Sequence, residues 1–367
     1  MAALVAGGHS LMQANRHENK AADPRSANWP ADALQFVNSC VLCGSPASQQ
    51  LYEGLQDRNF FAAPGKWTLQ RCKKCGLVRL DPRPTPDSLI SAYASYYTHS
   101  ASTAPEVPPR RLRRALTHGF LNGRYGYDFS PAIRAGIYLV PITPGRRNRA
   151  RRRVRYLAKP EKDPRLLDIG CGDGTFLLDM QGGGWIVEGI EPDPSAARIA
   201  SAAGLDVRHG SFPDSQLESA CFDAITLNHV LEHLPDPLAA LGEAFRVLKP
   251  GGRIYIATPN LNSAGHRRFG KHWVHLDPPR HLAIFDMRTL RSALNASGFS
   301  VADVPPNPLT RWTYSASAAL AAGADPFDDD FRAPRRLRVE ARLASARTII
   351  RRTDAEELTV LARKPDS

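Results

Sequence analysis

Leu166-Leu167-Asp168-Ile169-Gly170-Cys171-Gly172-Asp173-Gly174-Thr175-Phe176 joins an apolar run to a glycine turn and the start of a second apolar segment. Residues 165–169 read as a buried strand, and Thr175 to Met180 as the first turns of a helix. A strand that enters a glycine turn and leaves as a helix is the opening unit of a parallel sheet with crossover helices. Glycines 170, 172 and 174 give the pattern G-x-G-x-G. Thr175 stands where a dinucleotide fingerprint has its third glycine. Bare glycines let a ligand approach the backbone closely. No Lys-Ser or Lys-Thr follows, so a P-loop is excluded. A second strand, Trp185 to Ile190, runs into Glu191, about twenty residues beyond the glycines. A carboxylate there can accept both ribose hydroxyls of an adenosine.

Working outward, further strands are expected at Phe222 to Leu227, Arg253 to Ala257, Ser300 to Val304 and Glu357 to Ala362. Asp236 and Pro237 open a helix that Gly251-Gly252 close off, with Leu238, Leu241, Phe245 and Leu248 facing inward. Another helix starts near Asp286, carries Leu290 and Leu294 inward, and stops at Gly298. About fifty residues separate the last two strands, too many for a hairpin. They are expected to form a cap or oligomer element with an Arg-rich helix near 335–352.

Upstream, the cysteines carry the information. Four of the six fall into Cys40-x-x-Cys43 and Cys72-x-x-Cys75, each followed by glycine (Gly44 and Gly76). Glycine takes φ > 0 after the second cysteine of a zinc knuckle, so backbone N–H groups turn toward the sulfurs. Four thiolates make a closed tetrahedral site, so Cys40, Cys43, Cys72 and Cys75 are read as ligands of a structural Zn2+ in a zinc ribbon. Cys171 and Cys221 are read as ordinary thiols.

The 367 residues are 43% hydrophobic and 23% charged, which excludes a wholly disordered chain. No apolar run approaches the roughly 20 residues of a spanning helix. The first twenty residues lack a basic n-region, so no secretory signal is read and a cytoplasmic location is expected. The net charge of +12 permits anionic partners without selecting one. Seven arginines lie between Arg146 and Arg155. They are read as a solvated helix face, with a phosphate or lipid-headgroup contact as the functional reading.

Four motifs in order, LLDIGCGDGTF, VEGIEPD, FDAITLNHVLEHLPDP and LKPGGRIYIATPN, resemble those of the class I S-adenosylmethionine-dependent methyltransferases. The resemblance covers about 164–260. It implies an α/β, Rossmann-like sheet of seven strands with the last antiparallel, and S-adenosylmethionine as cofactor. Asp168, Gly170, Gly172 and Gly174 would hold the methionyl part and Glu191 the ribose. The usual acidic residue after the third strand is not evident, and Ser211 and Phe212 stand near that place. Asn228, read with Ser211 and Phe212 as a donor-binding residue, and His229 end the fourth strand, where such folds bring donor and acceptor together. CVLCG, RCKKCGLVRLDPRP and the later WVHLDPPRHL extend the resemblance to a bacterial group with an N-terminal zinc module. Its members are associated with sugars, surface polysaccharides and secondary metabolites.

The expected organisation is a flexible tail (1–35), the zinc ribbon (36–85), a helical linker or cap (86–160), the methyltransferase core (161–304), an insert (305–356) and the last strand (357–367). Methyl transfer to a hydroxyl needs alignment and a base near neutral pKa. Histidine fits, so His281, His229 and His275 are the catalytic candidates. His281 leads, because it lies in the loop after the fifth strand. His233 is read as orienting, Trp273 as core or pocket wall, and Arg280 as a bidentate holder of phosphate or carboxylate. The favoured function is O-methylation of a small-molecule, saccharide or glycolipid acceptor, with membrane-surface contact through the Arg-rich helices open. Two alternatives stand beside it. An RNA methyltransferase would use the ribbon and basic surface, against which only Arg58 and Lys66 precede Arg71 between the knuckles. A non-catalytic donor-binding scaffold is the other.

Overall fold

The strands form where β-branched and aliphatic residues run without interruption, and the helices form between them behind capping residues. A computed structural model describes residues 23–93 and 108–366, apart from 215, 308 and 329. The N-terminal part contributes β1 (Ser48–Leu55), β2 (Trp67–Cys72) and β3 (Val78–Leu80), followed by α1 (Pro108–Tyr125) and α2 (Pro144–Arg153). Alternation then begins with β4 (Arg165–Ile169), α3 (Thr175–Gly182), β5 (Ile186–Glu191), α4 (Pro194–Ala202), β6 (Asp206–His209) and β7 (Phe222–Asn228). It continues through α5 (Pro237–Val247), β8 (Leu248–Pro259), α6 (Ala264–Phe269), β9 (Ala283–Ile284), α7 (Met287–Ala296) and β10 (Ser300–Asp303). The chain closes with α8 (Thr310–Ala321), α9 (Arg335–Ile350) and β11 (Glu357–Arg363).

Seven strands form one sheet in the order β10-β11-β8-β7-β4-β5-β6. β11 runs antiparallel to both β8 and β10, while β6, β5, β4, β7 and β8 are mutually parallel. Leu166, Leu167, Ile225, Leu227, Ile254 and Ile256 are all buried, as a parallel sheet covered on both faces requires. The expected N-caps are in place, but α5 ends at Val247, so Leu248 and the Gly251-Gly252 pair expected to close the helix lie in β8. Asp236 accepts from the Ala239 N–H, and Asp286 forms a capping box with Thr289. The chain order reverses on either side of β4. A crevice therefore opens at the carboxyl ends of β4 and β7, where ligands of open α/β sheets bind.

A second sheet, in the order β9-β3-β2-β1, is antiparallel. Its fourth strand comes from residues 283–284, two hundred residues beyond the knuckles, and extends the N-terminal module into the loop after β8. Trp67, Leu69, Val78, Leu80, Trp273, Leu276 and Leu282 share one core there. Arg280 explains the join. It is fully buried and bonds Asp57 at 2.5 Å and Asp277 at 2.8 Å, and donates to the Ala92 carbonyl at 2.9 Å. The expected ligand-holding role of Arg280 is thus corrected, since its donors are spent on this buried network.

Residues 23–35 are not a loose tail. Trp29 packs edge-to-face on Trp67 and Leu34–Gln35 pairs with Arg83–Pro84. Residues 1–22 lie outside the described residues, as do 94–107 of the expected helical linker. Residues 86–93 of that linker form one α-turn and a 3-10 turn. In the insert, α8 and α9 pack through Tyr314, Leu337 and Ala341. Among the described residues, no helix is long and apolar enough to cross a membrane.

Candidate active site

The glycine loop leaves β4 at the crevice. Gly170, Gly172 and Gly174 have φ of +68°, +58° and +79°. A Cβ on Gly170 would lie 2.6 Å from Val230 Cγ2, and one on Gly174 would lie 2.3 Å from Leu205 Cδ1. Both the backbone conformation and the space therefore demand glycine. The carboxylate of Glu191 closes the loop, accepting from the Gly172 N–H at 2.8 Å and the Asp193 N–H at 2.9 Å. Beneath it, Asp168 is buried and accepts from Thr226 Oγ1 at 2.5 Å and from Arg155. Burial raises the Asp168 pKa against the pull of the Arg155 charge. Its Oδ2 is buried without a partner.

Arg155 is a residue that sequence reasoning missed. It sits in the left-handed region at φ +48°, and its guanidinium lies 3.5 Å from the Phe176 ring centroid. Arg153 bonds Asp179 at 2.5 Å. The solvated-face reading of the arginine run fails for these two. Periodicity could not single them out, because Arg155 lies just past the end of α2. Gly210 donates to the Glu191 carbonyl at 3.1 Å, so the chain leaves β6 beside Glu191. There Ser211 is exposed, and Phe212 is buried in the core cluster that includes Ile190 and Leu217.

Asn228 closes β7 opposite Ala257. His229 follows at φ +57° with its imidazole between two carboxylates, Nδ1 at 3.3 Å from Glu232 and Nε2 at 2.7 Å from Glu357. Burial opposes its charge, but the two carboxylates hold its pKa at about 10. Burial likewise opposes ionisation of Glu232, yet the bond to His229 brings that carboxyl down to about 2. Both carboxylates favour the protonated imidazole, so His229 bridges two acids, an arrangement that works against the expected role as a base. Glu357, 128 residues downstream, gave no sequence signal for the pairing.

His275 is buried against Thr313, with Nε2 to Oγ1 at 3.1 Å, and burial and the His229 charge push its pKa down to about 3. His281 donates from Nδ1 to the His275 carbonyl at 2.8 Å. Its ring meets that of His233 edge-on at 4.7 Å between centroids. The structure thus brings His281, His233 and Glu232 together and leaves His275 on the α8 side. Trp273 is core, and its Nε1 donates to Glu356 at 3.1 Å.

Residues 145–304 match the family model described as a methyltransferase domain. With the sheet order above, these residues form a class I methyltransferase domain. S-adenosylmethionine is the cofactor of this family, and the loop of three glycines, Glu191 and the unpartnered Asp168 Oδ2 fit it. A ubiquinone biosynthesis O-methyltransferase from Xanthomonas oryzae pv. oryzae is 37% identical over 107 residues, covering 27% of this chain and 45% of the relative. One from Xylella fastidiosa is 36% identical over 121 residues, covering 30% of this chain and 49% of the relative. The chain spans about half the length of the curated relatives it matches. A solved S-adenosylmethionine-dependent methyltransferase from Archaeoglobus fulgidus is 21% identical, with a TM-score of 0.40, over 58% of this chain and 91% of that one.

Outside the methyltransferase domain, Cys40, Cys43, Cys72 and Cys75 gather with all sulfurs within 4.8 Å of one another. Cys40 lies 3.5 Å from Cys75 and Cys43 lies 3.6 Å from Cys72. Four sulfurs about 2.3 Å from one tetrahedral ion stand about 3.8 Å apart, so the set can close on a metal with small movements. Gly44 and Gly76, at φ +67° and +85°, donate back to the Cys40 and Cys72 carbonyls. Both knuckles therefore turn as their sequence requires. Cys171 and Cys221 lie apart from this cluster.

Proposed function

We propose that the protein transfers a methyl group from S-adenosylmethionine to an oxygen of a small-molecule, saccharide or glycolipid acceptor. The observation that carries this is the glycine cradle closed by Glu191, opening beside the polar end of β7. The donor supplies a methyl group already activated on a sulfonium. Glu191 would accept from the ribose hydroxyls, and Asp168 with the loop N–H groups would hold the methionyl part. Ser211 and Phe212 would border the adenine. Asn228, beside the Val230 that packs on Gly170, would complete the donor site where donor and acceptor meet.

His281 is the residue through which the acceptor hydroxyl is activated. Its Nδ1 proton is committed to the His275 carbonyl, which leaves the lone pair on Nε2. His229 positions Glu232 and Glu357 rather than moving a proton. His275 is neutral, but its Nε2 is engaged by Thr313. The O-methyltransferase names of the relatives support oxygen as the acceptor atom. We also propose that the four cysteines hold a structural Zn2+ that fixes the N-terminal sheet, with no open position for chemistry.

The test is incubation of the purified protein with radiolabelled S-adenosylmethionine and cell extract split into polar metabolites, lipid–glycan material and RNA. Label in the metabolite or glycan fraction is the expected result. Label confined to RNA overturns the acceptor class, and donor binding without label in any fraction favours a scaffold.

A further inference from the structure

We propose that Glu232, His233 and His281 form a second metal site, taking one divalent transition-metal ion through Glu232 Oε2 and the Nε2 atoms of the two histidines. The three residues place one ligand atom each within 4.8 Å of one another. Ligands about 2.1 Å from a tetrahedral ion stand about 3.4 Å apart, so closure asks each side chain for about an ångström.

Two independent features point to an ion. Glu232 is fully buried, and while Oε1 meets His229, Oε2 has no partner. A buried carboxylate oxygen left unpaired is costly, and a cation removes that cost. His281 Nδ1 donates to the His275 carbonyl at 2.8 Å, and His233 Nδ1 lies 3.0 Å from the Arg280 carbonyl and 2.9 Å from Tyr93 Oη. Backbone carbonyls fix both histidines in the tautomer that leaves Nε2 bare, which is how metal-binding histidines are oriented. The carboxylate facing His281 Nε2, Asp277, is 4.0 Å away and is held by Arg280 instead. The remaining contact, His229 on Glu232 Oε1, is itself anchored by Glu357.

Two histidines and one carboxylate are three protein ligands, the count of zinc sites that keep an open position. The site follows β7 directly, two residues beyond the Val230 that packs on Gly170. Its role, though not its existence, rests on the methyl-transfer reading. An acceptor hydroxyl in the open position would lose its proton to solvent water, as metal-bound oxygen acids do near neutral pH. The oxygen lone pair would then form the bond to the methyl carbon. The sulfur–carbon bond breaks with its electron pair staying on sulfur. His281 would in that case act as a ligand, and the ion would lower the hydroxyl pKa.

The experiment adds Co2+ to the whole 367-residue chain after it has been loaded with one equivalent of zinc. The expected result is one saturable Co2+ per chain, with visible d–d absorption and no near-ultraviolet thiolate band. Glu232→Gln and His281→Ala should each weaken it at least tenfold, with donor binding by calorimetry and circular dichroism confirming the fold. Absence of saturable Co2+, Zn2+ and Mn2+ binding to the unaltered protein overturns the site, as does a thiolate band or unchanged affinity in both folded variants. Metal binding without any donor binding would sink the methyl-transfer reading and leave the metal site standing.

Discussion

Replacing Arg280 with methionine should detach the N-terminal module from the methyltransferase domain energetically. Arg280 is fully buried, and its guanidinium reaches both oxygens of Asp57 at 2.5 and 3.1 Å and both of Asp277 at 2.8 and 3.1 Å. Methionine fills most of the volume but removes the charge. Asp57 would keep the N–H groups of Phe60, Ala62 and Ala63, and Asp277 the amide of Asn59. Neither carboxylate would keep a cation. Breaking a buried ion pair from one side costs about 3–5 kcal/mol, and two stranded acids place this case at the upper end. That is a third or more of the stability of a typical domain, roughly 5–15 kcal/mol. Urea unfolding followed by tryptophan fluorescence reads the change directly, because Trp29, Trp67 and Trp273 share the affected core. Adding Asp57→Asn and Asp277→Asn should recover part of the loss. A loss below about 1 kcal/mol, the value of an exposed pair, would refute the reasoning.

Gly170→Ala should lower donor affinity at least tenfold and destabilise the fold by about 1–3 kcal/mol, since φ +68° and the Val230 contact both resist a Cβ; calorimetry and melting would show it. Glu191→Ala should weaken donor binding with a smaller effect on stability, and unchanged affinity would count against the ribose assignment. Cys72→Ser should remove one zinc per chain by metal analysis and destabilise the N-terminal sheet. Burial lifts the pKa of Glu356 to about 6. The folded state therefore favours its neutral acid, and this contribution is full below about pH 4.5 and lost as pH rises through about 6, worth roughly 2 kcal/mol. Unfolding free energies across that range, for the protein and for Glu356→Gln, should differ in slope accordingly.

The sequence by itself determined what depends on near neighbours. Residues 165–191 had to form strand, glycine turn, helix, strand and terminal acid, because each step is local in propensity, capping and φ. The two Cys-x-x-Cys-Gly knuckles are equally local, and both turn as read. The parallel sheet with crossover helices followed from the alternation of its elements, and its seven strands with the last antiparallel from the family resemblance. Tertiary structure alone decided which distant charges meet. His229 bridges two acids only because β11 brings Glu357 beside the end of β7. Arg280 became an internal strut, not a ligand holder, because Asp57 folds over it from 223 residues away. His281 and His233 face one another because the loop after β8 runs back across the turn after β7, where Leu282 N–H donates to the Glu232 carbonyl at 2.8 Å. A charged side chain's role is set by the sign and distance of the groups around it, and those groups come from elements that no local pattern connects.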